Sequence, residues 1–133
     1  MKVSSNFKKL SQERKEEIRD IAISMNNVVS DYYFGSKFAL SLHQKLSKAY
    51  SFFQKYYKTN LTEEEKSVFY LYVLFPNDNL FMNMIEKYEN DYEKLSSIYC
   101  VSENIIKLRY HLQKNIMRQR EINEIKEKKK VMN

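Results

Sequence analysis

His43 is followed by Gln44 and, one helical turn on, by Ser47. A helix uses this spacing to aim two ligands at one metal ion. In that chemistry two imidazoles hold Zn²⁺, and a carboxylate next to the first takes the proton from the bound water. Gln44 cannot act as that base, and Ser47 is a poor zinc ligand. Glu65 stands three residues after Thr62, the spacing of a helix capping box. Taken alone, His43 is expected to be a half-buried helix residue with a hydrogen bond. His43, Cys100 and His111 match no metal-ligand spacing. Cys100 reads as a packed, inert thiol. Ser47 and Ser51 have no evident His and Asp partners for nucleophilic catalysis. A single glycine excludes the usual phosphate-binding loops. Neither enzymatic activity nor a cofactor is expected.

Two other constellations could bind rather than react. One is basic: Asn104, Lys107, Tyr110, His111 and Lys114 follow a turn at Cys100–Ser102, with Arg118 and Arg120 beyond. On the exposed face of a recognition helix these would meet a DNA major groove and its phosphates. Glu103 at the helix start opposes that, as do Glu121, Glu124 and Glu127 among the tail lysines. The other is aromatic: Tyr32, Tyr33 and Phe34, then Phe52, Tyr56 and Tyr57. Tyr and Phe make good interface anchors, and these exceed what one small core needs. Plain core packing is the competing account.

The elements that must position these residues are all helical. The chain has 133 residues, enough for one domain with a core, and only one Gly and one Pro. A first helix starts at Ser11 and carries an apolar stripe through Ile18, Ile21, Ala22, Met25, Val28, Val29 and Tyr32. Gly35 is its C-terminal cap. Ser36 caps a second helix over about 37–58, with Ala39, Leu42, Leu46, Ala49, Phe53 and Tyr56 as its seam. Thr62 and Glu65 open a third, apolar nearly all round and expected to be the most buried, which Pro76 stops. Asp78 or Asn79 caps a fourth. Asn90 or Asp91 caps a fifth, with Tyr92, Leu95, Ile98 and Tyr99 inward. Ser102 caps a sixth. The reading is an all-α single domain over 1–117, loose over 1–10. It has about six helices, a helix-turn-helix-like pair near the C-terminus, and a charged helix or tail over 118–133.

The stretch from Glu65 to Arg109 resembles the ImmA/IrrE family of HExxH zinc peptidases. Val73-Leu-Phe-Pro76 matches the end of that family's second motif helix, with Glu65 and Phe69 at its acidic and aromatic positions. Val101-Ser102 with Arg109 seven residues after the Ser matches a third feature. The segment ending at Tyr50 resembles the first motif helix, with His43 as first histidine, Gln44 at the catalytic Glu and Ser47 at the second histidine. The resemblance implies a pseudo-peptidase scaffold in which His43 and Glu65 are the relic metal-site candidates, too few to hold an ion. It further implies an origin in a phage, plasmid or integrative element, where active members cleave or antagonise repressors.

The formal net charge of +6 permits an acidic partner or DNA without selecting either. One cysteine fits a reducing cytoplasm, and no apolar run is long enough for a membrane partner. The expected function is a non-catalytic interaction module that binds and inhibits a repressor, nuclease or other defence protein. The alternative is a small helix-turn-helix DNA-binding regulator. A homodimer through the first helix or the tail is a third arrangement.

Overall fold

The computed structural model describes Val3, residues 5–35 and residues 40–131. Among the described residues there are six α-helices, a short 3-10 helix at Ser5–Lys9, and no strand. The helices are α1 (Gln12–Tyr32), α2 (Leu42–Tyr57), α3 (Glu63–Leu74), α4 (Asp78–Lys87), α5 (Tyr92–Tyr99) and α6 (Glu103–Val131). The first amides of a helix have no partner within it, and a polar side chain just ahead can accept from them. Ser11, Ser41, Thr62, Asn77 and Asp91 each do so at the heads of α1 to α5. The Ser102 hydroxyl accepts the Ile105 amide proton at 3.3 Å at the head of α6.

Several boundaries differ from the sequence reading. α2 begins at Leu42, because Ser41 and Gln44 bond each other's backbone reciprocally and satisfy two end groups at once. Ser36, Lys37 and Ala39, to which the earlier start was assigned, lie outside the described residues. α1 stops at Tyr32, and Gly35 takes its left-handed conformation (φ 79°) in the turn that follows. Asn77, not Asp78 or Asn79, caps α4, because the Asp78 carboxylate is drawn to arginines. The N-terminus is not loose throughout: the 3-10 helix packs on α3 and buries Phe7 completely. Ile98 points outward, 44% exposed, while Tyr99 turns in against Phe75.

α3 is the central element. Val68, Phe69, Leu71, Tyr72 and Val73 are all fully buried. α1 lays Ile18, Ala22, Met25 and Val29 against it; α2 adds Leu46, Ala49 and Phe53, and α6 adds Leu112 and Ile116. A smaller cluster of Phe75, Phe81, Ile85, Leu95 and Ile106 joins α4, α5 and α6. Leu74 and Ile105 touch both clusters and make them continuous.

Arg109 bolts the two clusters together from inside, with no exposed surface. Its Nε and one terminal nitrogen donate to the Phe75 carbonyl at 3.3 and 3.1 Å, at the C-terminal end of α3. That end needs donors, because its last carbonyls have no partner in the helix. The other terminal nitrogen donates to Gln113 at 3.0 Å, and Asp78 closes the group as counter-ion. The guanidinium lies over the Tyr72 ring, 4.2 Å from its centroid. A planar five-donor fork can serve all these acceptors together, which an ammonium cannot.

α6 runs unbroken through 29 residues, about 43 Å at the usual rise. Lys15 donates to Asn115 at 2.8 Å and Arg120 pairs with Glu16 at 2.8 Å, tying α6 to α1. Past Ile122 its residues are exposed, so its last turns leave the body. No helix among the described residues is long and apolar enough to cross a membrane.

Candidate functional site

The two relic candidates have different surroundings. His43 is exposed rather than half-buried, because α2 starts just before it and its first turn stands clear of the core. With Ser47 it lines a cleft of about 440 Å³ between α2 and α3, beside Glu63 and Lys66. Gln44 is held in the capping box by Ser41. Glu65 does not line this cleft. It accepts the Thr62 amide proton at 2.9 Å and pairs with Arg14 of α1. Burial works against its charge, yet the Thr62 backbone, Arg14 and the Thr62 hydroxyl outweigh that and hold the carboxyl below the usual range. The sequence spacing revealed the cap; the partner Arg14, 51 positions away, it did not. Among the described residues no group of three or more His, Cys, Asp or Glu side chains could hold a metal ion.

Cys100 is exposed rather than packed. It closes α5 in the left-handed conformation (φ 57°), a place usually taken by glycine, and belongs to neither core cluster. The elbow is held by Ser96, whose hydroxyl donates to the Val101 carbonyl.

The α5–α6 pair divides the candidate DNA residues. Asn104, Lys107, His111, Lys114 and Arg118 are exposed along α6. Tyr110 is half-buried against the smaller cluster. Arg120 is held by Glu16. Lys107 lies over the Tyr92 ring at 5.5 Å, and Lys114 over Tyr110 at 5.5 Å. His111 packs its ring 6.2 Å from that of Phe7. The outward face is thus narrow, and its cations are partly engaged with tyrosines.

The aromatic residues meet where the end of α1 faces α2. Tyr32, Phe34, Tyr56 and Tyr57 are 70%, 91%, 58% and 48% exposed. Tyr33 and Phe52 are half-buried against the main core and seat the others. Tyr32 meets Phe52 edge-on at 5.5 Å and Tyr33 at 4.9 Å, and Tyr56 stacks on Phe52 at 6.2 Å. Tyr57 turns to the other side and stacks on Phe53 at 5.0 Å. A cleft of about 250 Å³ opens here, lined by Tyr32, Tyr33, Phe52, Ser51, Lys48 and Lys55. The two lysines were not singled out from sequence, although Lys48, Phe52 and Lys55 share the i, i+4, i+7 spacing of one helix face. Such an arrangement of rings and cations can bind an apolar or acidic group. Neither protein-family models, nor curated proteins, nor solved structures give a match to this chain.

Proposed function

We propose that the chain is a non-catalytic interaction module of a phage- or plasmid-type mobile element. It binds a repressor, a nuclease or another host-defence protein and inhibits it by occupancy. The observation that carries this is the aromatic surface where α1 meets α2, with Tyr32 and Tyr56 in solvent against half-buried Tyr33 and Phe52, and Phe34 exposed beside them in sequence. A monomer gains nothing from leaving such rings in water, whereas a partner that covers them gains their burial. The pseudo-peptidase character rests on Gln44 and Ser47 at the catalytic positions of the ImmA/IrrE-like pattern. The class of partner rests on that same resemblance. Capture from host lysate, with and without nuclease, tests the reading. A defined protein recovered after nuclease supports it, and recovery of DNA alone refutes it.

A second reading, a helix-turn-helix regulator, is favoured by the capped head of α6 and by the outward Asn104, Lys107 and His111. A gel-shift titration near physiological salt separates the two. A sequence-specific complex at nanomolar protein, abolished by Lys107→Ala in a chain that still folds, selects this second reading.

A further inference from the structure

Between Asp31 and Glu63 the chain has five lysines and no acidic residue. The fold brings part of that acid-free stretch beside the surface rings. Lys48 and Lys55 flank Phe52 on the exposed face of α2, and the end of α1 supplies Tyr32 across from it. The result is a slot lined by rings, Ser51 and two lysines, with no carboxylate in its lining among the described residues.

We propose that this slot docks an acidic, apolar segment of a partner protein, an inference that rests on the interaction-module reading above. An apolar side chain enters the cleft beside the paired Tyr32 and Phe52 rings, and carboxylates on either side meet Lys48 and Lys55. The spacing defines the segment. Seven positions on a helix separate the lysines by about 10 Å along the axis. An extended chain covers that distance in about three residues. The matching segment has acids three apart with apolar residues between them.

The geometry favours a peptide over single-stranded nucleic acid. Base stacking needs an open ring face. Phe52 is edged by Tyr32 and stacked on by Tyr56, so the cleft lies beside paired rings and not over a free ring face. Phosphate tracking needs a row of cations, and this lining offers two lysines and no arginine.

The test uses the full chain and a fluorescent peptide with Glu-Leu-Phe-Glu between Gly and Ser residues. Two control peptides replace both Glu by Lys, or Leu-Phe by Ala-Ala, and the fourth probe is a short oligothymidylate. The expected result is micromolar binding of the first peptide alone. The Lys48→Glu/Lys55→Glu double variant weakens it about tenfold or more, and so does Tyr32→Ala. These side chains are exposed, so melting curves should stay within a few degrees of wild type. The proposal is overturned if either control peptide binds equally well, or if the variants fold and bind unchanged. It is also overturned if the oligothymidylate binds and loses affinity in the same variants. The lysate capture distinguishes the two levels of the argument. A protein still captured by the double variant overturns this docking site and leaves the interaction reading intact. Peptide binding with no captured protein keeps the site and removes the wider reading.

Discussion

Replacing Arg109 by Ala should do more damage than any other single change to a charged residue. The side chain has no exposed surface, and its removal strands several groups together. The Phe75 carbonyl loses both of its guanidinium donors, and the Gln113 side-chain oxygen loses its partner at 3.0 Å. Asp78 keeps only the looser Arg19 contact at 3.5 Å. The Tyr72 and Phe81 rings lose the cation lying over them at 4.2 and 5.2 Å. Breaking one side of a buried charged pair costs about 3–5 kcal/mol. Asp78 is 19% exposed and retains Arg19, which relieves part of that, while the cavity left behind adds to it. The expected loss is therefore roughly 3–5 kcal/mol, a large share of the usual total of about 5–15. For a domain of this size that lowers the melting temperature by about 10–20 °C. Arg109→Lys should recover only part of it, since an ammonium cannot reach Phe75, Asp78 and Gln113 together. Thermal and urea unfolding followed by circular dichroism measure all of this. An Arg109→Ala melting curve within about 2 °C of wild type would refute the bolt, as would full recovery by Lys.

The remaining expectations use the same unfolding assay or simple chemistry. Phe69→Ala should cost about 3–5 kcal/mol, because the ring is wholly enclosed, whereas half-buried Leu74→Ala should cost about 2; equal losses would contradict the burial order. Glu65 carries a lowered pKa, so it binds protons less readily folded than unfolded. Its stabilisation is complete above the unfolded value near pH 4.3 and is lost as pH falls through the lower folded value. Glu65→Gln should flatten the acid limb of the stability–pH curve, and an unchanged limb would show that the Arg14 and Thr62 contacts contribute nothing. The purified protein should carry no stoichiometric zinc and cleave no protein; one zinc per chain by elemental analysis, lost in His43→Ala, would refute the pseudo-peptidase assignment.

What the sequence determined by itself is local. The helix heads at Ser11, Thr62, Asp91 and Ser102 were legible because a cap acts over three residues, within reach of pattern reading. The dominance of α3 was legible because its side chains are apolar nearly all round, and such a helix has no wet face to offer. The reading failed where two local signals competed. At the head of α2 the cap is Ser41, which the sequence reading passed over, and its reciprocal bond with Gln44 fixes the start at Leu42. At the head of α4, Asp78 could cap or pair, and a buried arginine 31 positions away took it, leaving Asn77 to cap. Tertiary structure alone settled whatever depends on partners far apart in the chain. Glu65 pairs with Arg14, Arg120 is held by Glu16, and Lys48 and Lys55 share a cleft with Tyr32, Tyr33 and Phe52. Spacing along one helix says which side chains share a face. Only the packing of α1 and α2 against α3 decides which of those faces meet another and which are left to solvent.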